Sequence, residues 1–207
     1  MKIAMIGHKR IPSREGGVEI VVEELATRLV KNGHTVDVYN RKGNNVQDEN
    51  ADKENKKLKE YKGIKLLTIP TIINKKGIEA FVYSCLATIR ALFGKYDVIH
   101  YHAEGPCAML WIPHIFGIKT VATIHGLDWK RSKWGSWASK YIKFGEKIAA
   151  KYADEIIVLS KGVQQYFKDT YNRETTFIPN GVNKPEIKEA NIRQRSKTAP
   201  SKSRISP

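Results

Sequence analysis

Between an apolar run, Thr120–Ile124, and a helical periodicity that begins near Ser136 lies the stretch His125–Trp134, HGLDWKRSKW. It carries one histidine, one aspartate, two tryptophans and three cations. Charged side chains almost never bury unpaired, so this loop does not fill a core. The run ahead of it reads as a buried strand, and α/β sheets bind ligands outside the carboxyl ends of their strands. A polar, partly anionic ligand is therefore expected here. His125 follows the strand directly, and Gly126 lets the backbone turn toward a crevice. Asp128, Lys130 and Arg131 beside it favour a site over a structural histidine. Trp129 and Trp134 suit stacking on a sugar ring or a lipid interface. Packing beneath the loop is expected of one of them, not both.

Two further groups of residues are candidates. Gly16-Gly17 stands directly ahead of a helix, where small residues let a ligand approach and free N–H groups favour phosphate. The competing reading is a plain turn, but Lys9, Arg10 and Arg14 in the same loop point toward an anion. No G-x-G-x-x-G fingerprint follows Gly7. His100 and His102 put two imidazoles on one face of a strand end, and His114 lies on a helix with no reason to converge. A satisfied or hydroxyl-binding histidine is the expected role, with a metal as the lesser alternative. Glu104, next to Gly105, either meets sugar hydroxyls or favours the dipole of the helix that follows.

The elements that must position these groups alternate along the chain. Lys2–Ile6 reads as a strand. Val18, Val21, Val22, Leu25 and Leu29 share one helical face opposite Glu19, Glu23, Glu24 and Arg28. Asn32-Gly33 stops that helix, and Thr35–Tyr39 is the next strand, completing a βαβ unit. The mixed-charge stretch 41–62 reads as a surface loop, partly helical at its end. Strands are expected at 64–69, 97–101, 119–124, 155–159 and 175–178. Helices are expected over 78–93, from Pro106 to about Phe116, from Ser136 to about Tyr152, and over 161–170. The sum is a Rossmann-like α/β domain, doubly wound around a mainly parallel sheet of about seven strands. It spans 1–182, and the Lys/Arg/Ser/Pro-rich 183–207 reads as a linker or basic tail.

Composition narrows the partners. The chain has 207 residues, 41% hydrophobic and 28% charged, with a formal net charge of +15. Residues 184–207 hold seven Lys/Arg against two Glu, leaving +10 on the body. That excess suits phosphorylated substrates, an anionic membrane surface or nucleic acid. No helix-turn-helix, zinc finger or RNA-binding aromatic motif supports nucleic acid. Cys85 and Cys107 read as small buried hydrophobes, not a disulfide framework. The N-terminus is too soon charged for a signal peptide, and no apolar run approaches a membrane span. A cytoplasmic protein is expected, with any membrane contact peripheral and at the inner face.

Assembled, these stretches resemble the N-terminal half of a GT-B glycosyltransferase of family 4. The likeness rests on RIPSREGGVEIVVEELATRLVKNGHTVDVY at 10–39, YHAEGP at 101–106, TIHGLDWKRSKW at 123–134, YADEIIVLSKGVQQYF at 152–167 and FIPNGV at 177–182. The IP…GGxE opening is similar to a rhamnosyltransferase-like subgroup of surface-polysaccharide synthesis. The resemblance implies two facing Rossmann-like domains, the first holding the acceptor and the second the nucleotide sugar. It implies transfer with retention and without a divalent metal or other cofactor, the departing phosphate taking the acceptor proton. Gly16, Gly17 and Arg14 would lie by the donor diphosphate, and His125 would hold charge and geometry at the reacting centre. Glu104, Asp128, Trp129, Lys130, Arg131 and Trp134 would shape the acceptor side.

The resemblance also sets an expectation about what is absent. The family's second domain supplies an E-x7-E pair and diphosphate-binding cations, and the chain stops where it should begin. Alone, the chain is expected to bind donor weakly and turn over little. The alternatives are an acceptor- or membrane-binding module without catalysis, or half of an enzyme completed by a separate donor-binding chain.

Overall fold

The computed structural model of the protein describes residues 1–14, 16–42, 58–71, 78–130 and 135–181. In chain order the strands are β1 (Lys2–Ile6), β2 (Thr35–Lys42), β3 (Glu60–Tyr61), β4 (Ile64–Pro70), β5 (Val98–His102), β6 (Lys119–Ile124), β7 (Glu155–Val158) and β8 (Thr176–Phe177). The helices are α1 (Gly17–Lys31), α2 (Ile78–Leu92), α3 (Trp111–Ile115), α4 (Ser136–Tyr152) and α5 (Lys161–Tyr171), with single 3₁₀ turns at Pro106–Met109 and Asp128–Lys130.

Among the described residues one sheet of eight strands runs in the order β3-β4-β2-β1-β5-β6-β7-β8. Every pairing is parallel except the β3–β4 hairpin. The expected class, parallel α/β of the Rossmann type, is the one observed. Alternation along β1 explains the two layers. Ile3 and Met5 face Val22 and Ala26 of α1, while Ala4 and Ile6 face a larger core built with Tyr83 and Ala87 of α2, Ala149 of α4 and Phe167 of α5. The chain leaves β1 toward β2 on one side and enters β5 on the other, so the winding reverses between β1 and β5. That switch point opens a crevice at the carboxyl ends of the strands.

Three sequence expectations change. The sheet gains an eighth strand, because the end of the mixed-charge stretch folds back as β3 against β4 instead of turning helical. β2 runs on through Lys42, so the loop begins later than expected; residues 43–57 lie outside the described residues. The single helix expected from Pro106 to Phe116 splits into a 3₁₀ turn and α3. Pro113 accounts for the split: it has no N–H to offer the Met109 carbonyl, and its ring crowds that oxygen. The tail 183–207, along with Arg131 and Trp134, also lies outside the described residues.

Two glycines set how closely the loops approach the sheet. A Cβ on Gly7 (φ +123°) would come within 2.0 Å of the His102 carbonyl oxygen, and one on Gly145 within 2.0 Å of the Glu104 carbonyl oxygen. Gly145 sits inside α4, where alanine ordinarily stabilises a helix by about 1 kcal/mol over glycine. Backbone overlap reverses that preference, so Gly145→Ala is expected to destabilise the fold by roughly 2 kcal/mol in urea unfolding. A variant as stable as the parent would show that α4 does not press on the Glu104 loop.

Candidate functional site

The loop after β1 is built before any ligand arrives. Asn40 near the end of β2 grips Ile11 from both sides: Oδ1 accepts from the Ile11 N–H at 3.0 Å and Nδ2 donates to the Ile11 carbonyl at 2.8 Å. His8 Nε2 lies 3.0 Å from the same Oδ1. The Gly7 N–H donates to Tyr83 Oη at 3.2 Å, and the Lys9 N–H to Glu19 Oε1 at 2.9 Å. Bonds to buried backbone of this kind hold a loop in one shape because breaking one leaves a polar group unpaired.

Opposite this loop stands the one after β6. The Asp128 N–H donates to Glu104 Oε2 at 2.8 Å, and Trp129 Nε1 donates to Glu146 Oε2 at 2.9 Å. Between the loops is a cleft of about 350 Å³, lined by Gly7, Lys9, Gly16, Gly17, Glu19, Arg41, Asp128, Trp137 and Tyr141 among others. It occupies the β1/β5 switch point, with Gly7 following β1 and Ala103 following β5.

The diglycine and Asp128 thus share one cleft, whereas Arg14, Glu104, His125, Trp129 and Lys130 are not in its lining. Gly16 precedes α1 without a side-chain cap. A Cβ there would come within 2.0 Å of Glu19 Oε2, so the Glu19 carboxylate already faces the helix N-terminus assigned to a diphosphate. Gly17 has open space around its Cα. Arg14 does not line the cleft; its guanidinium lies 3.6 Å from Glu23 on α1, a carboxylate that also pairs with Lys62. Trp129 and Lys130 turn away from the diglycine, and Lys143 and Lys130 sit 4.3 and 5.3 Å from the Trp129 ring. Trp129 lines a second hollow instead, beside Lys140 and Phe144.

Glu104 requires a correction. Its exposure is 1%, so it lies beneath the loop and cannot reach sugar hydroxyls. Burial, and then the hydrogen bond to Glu146 and that residue's charge, push its carboxyl up to about 9. Burial would also raise Glu146, but bonds from Glu104, Lys143, Tyr171 and Tyr166 outweigh it and hold the group ionised. The pair therefore keeps one proton at neutral pH, on Glu104. Neither Glu146 nor its aromatic donors are legible as a site from spacing: the residue sits on the apolar face of α4, where a sequence reading assigns core.

The histidines form a column at the tips of β5 and β6. His100 and His102 stack with centroids 4.2 Å apart, and His102 Nδ1 lies 3.3 Å from His125 Nε2. Burial, the largest cause, lowers all three; His100 falls to about 4. Asp128 and Glu19 counter part of the effect at His125. His125 is therefore neutral at pH 7 and offers a hydrogen bond, not a positive charge. His102 Nε2 is buried with no partner among the described residues. An unpaired acceptor costs less than an unpaired N–H, which favours His102 donating from Nδ1 and leaves the His125 proton on Nδ1. Nitrogen-15 NMR is expected to find that tautomer at His125 and to lose it in His102→Phe; an unchanged tautomer would separate the two rings. Among the described residues no three His, Cys, Asp or Glu side chains converge as metal ligands.

The acid pair makes a second prediction. Glu104 holds its proton in the folded chain up to about 9, against 4.5 for a carboxyl in water. The folded state binds more protons between those values, so stability is greatest below the lower and falls as pH rises toward the upper. Glu104→Gln keeps the shape and cannot ionise. Between pH 5 and pH 9 the parent is expected to lose stability relative to this variant in urea unfolding, by up to about 5 kcal/mol. Parallel pH profiles would show that Glu104 is not held neutral.

Comparison with known proteins follows this geometry. Sucrose-phosphate synthase from Thermosynechococcus elongatus superposes with a TM-score of 0.67 at 21% identity, over 96% of this chain and 53% of that one. WaaG, a glycosyltransferase involved in lipopolysaccharide biosynthesis, gives 0.59 at 14% identity over 96% and 52%. The catalytic domain of starch synthase IV from Arabidopsis thaliana, bound to ADP and acarbose, gives 0.58 at 12% over 87% and 51%. The chain spans about half the length of these structures, and at such identities the likeness is one of fold. No curated protein sequence matches the chain. Residues 15–184 match the family described as Glycosyltransferase Family 4, and by that match over most of its length the chain belongs to this family.

Proposed function

We propose that the chain is the acceptor-side half of a glycosyltransferase that moves a sugar from a nucleotide-sugar donor to a lipid-linked or polysaccharide acceptor, with retention of configuration. The observation that carries this reading is the switch-point cleft in a family 4 chain, walled by the α1 diglycine on one side and Asp128 on the other. A donor-binding lobe would close over it, on the same polypeptide or on another, since the chain spans 53% of the sucrose-phosphate synthase it resembles. The motif that opens the chain favours the rhamnosyltransferase-like subgroup of surface-polysaccharide synthesis. A formal charge of +15 suits diphosphate substrates and peripheral contact with an anionic leaflet. No helix among the described residues is long and apolar enough to cross a membrane.

In this reading the acceptor hydroxyl gives its proton to the departing donor phosphate, and no cofactor or side-chain base is required. The chain's own residues then orient. Neutral His125 supplies a directed hydrogen bond to the transferring sugar, braced from behind by His102. Asp128 accepts from an acceptor hydroxyl, and Glu104 holds the Asp128 backbone in place. Gly17 leaves room for the diphosphate, with Glu19 moving aside from Gly16. Acceptor binding without transfer is the second reading, favoured by the aromatic wall of Trp137 and Tyr141 beside Asp128.

The test is transfer of label from UDP-, GDP- and dTDP-sugars to lipid and polysaccharide acceptors by the chain combined with a donor-binding lobe. His125→Ala is expected to lower kcat about 100-fold while acceptor affinity changes less than threefold, as for the loss of one preorganised hydrogen-bond donor. Equal turnover in the variant would remove His125 from the reacting centre. Acceptor binding with no transfer from any donor would establish the second reading.

A further inference from the structure

Among the described residues, Arg41 is a cation of the cleft that makes no ion pair. Arg41, near the end of β2, lies with its guanidinium carbon 4.8 Å from the Tyr83 ring centroid. Its Nε is buried without a hydrogen-bond partner among the described residues. Stacking fixes the plane of the guanidinium and leaves its edge free for an incoming anion. The Lys9 carbonyl accepts from the Arg41 N–H at 2.6 Å, so a second cation shares this wall of the cleft. The cleft's carboxylates have other work: Glu19 accepts the Lys9 N–H, and Asp128 lies across the cleft on the loop after β6.

The opposite wall is apolar and aromatic. Trp137 stacks on Tyr141 at 5.9 Å with the rings 7° from parallel, and Phe81 meets Tyr141 edge-on at 5.6 Å. Trp137 is 58% exposed and Phe81 36%, so this aromatic slab leads from the cleft out to solvent. Contiguous exposed aromatics rimmed by polar residues mark a binding surface. Such rings also stack on sugars, but an oligosaccharide acceptor needs hydroxyl partners along its length as well. A phosphate-bearing lipid needs one fixed cation and an apolar ramp leading away from it.

We infer that the acceptor is a single-chain lipid phosphate, its anionic head held by Arg41 with Lys9 and its hydrocarbon laid along Tyr141, Trp137 and Phe81. The inference rests on the glycosyltransferase reading and narrows its acceptor to the lipid-linked class. An isoprenoid diphosphate and an acyl lysophosphate share this chemistry, and the probes tell them apart.

The experiment is equilibrium binding to the 207-residue chain, followed by calorimetry, with farnesyl diphosphate, lysophosphatidylglycerol, farnesol, inorganic diphosphate and maltotriose. One of the two lipid phosphates is expected to bind at least tenfold more tightly than farnesol or inorganic diphosphate, and the tighter of the two identifies the chain type. Trp137→Ala and Lys9→Gln, both at accessible positions, are expected to weaken that ligand at least fivefold. Arg41→Gln should weaken it further, and Trp111→Ala, outside the cleft, should leave it unchanged. Maltotriose binding as tightly as either lipid, or lipid affinity indifferent to Trp137→Ala and Lys9→Gln, would overturn the inference. Sugar transfer to an oligosaccharide without lipid binding would sink this inference alone. Lipid binding without any sugar transfer would sink the glycosyltransferase reading and leave the site standing.

Discussion

An ionised carboxylate with no exposed surface holds the β6–β8 side of the molecule together. Glu146 on α4 accepts from Trp129 Nε1 at 2.9 Å, Lys143 Nζ at 2.7 Å, Tyr166 Oη at 2.8 Å and Tyr171 Oη at 2.5 Å. Taking a charge out of water costs several kcal/mol unless its lone pairs are satisfied. Here they are, by donors from α4, from α5 and from the loop after β6. Removing any one donor leaves charge underpaired, so these three elements are fixed relative to one another as a unit. Glu104 extends the unit to the loop after β5, and through the Asp128 N–H it fixes the rim of the cleft.

On the β1–β4 side, the loop after β1 is held mainly by neutral bonds. Asn40 and Tyr83 clamp the loop after β1 to β2 and α2, and Gly7 lets that loop close on the His102 carbonyl. The two halves meet at the switch point. Each rim of the cleft therefore belongs to a different rigid network, and the cleft's width follows from how β1 and β5 pair, Ile3 against Val98 through Ile6 against Tyr101.

The fold was legible because period and punctuation agreed. Val18, Val22 and Leu25 mark α1 and Asn32-Gly33 its end, and the buried runs at 2–6 and 119–124 are strands as read. β3 was not legible, since Glu60–Tyr61 owes its strand to pairing with β4 and not to its own pattern. The site was legible only in part. Loop residues between a strand and a helix point to a crevice, and Gly16, Gly17 and Asp128 do line one cleft. Sequence order does not say which side of a loop a long side chain takes. Trp129 and Lys130 follow Glu146, Lys143 and Tyr166 away from the diglycine, and Arg14 follows Glu23. Arg41 and Trp137 were missed because a cation at a strand end and an aromatic in a helix's first turn carry no motif.

The sheet's two outer strands, β3 and β8, are each two residues long. A strand that short offers too few free backbone groups to template another chain. Between them lie six longer strands rich in Ile and Val, the composition that forms amyloid when an edge is open. Pairing at the two margins thus tapers off in stubs, β3 on Ile64 and Lys65 and β8 on Ile157 and Val158, so neither outermost strand gives a second chain a long row of backbone groups to extend.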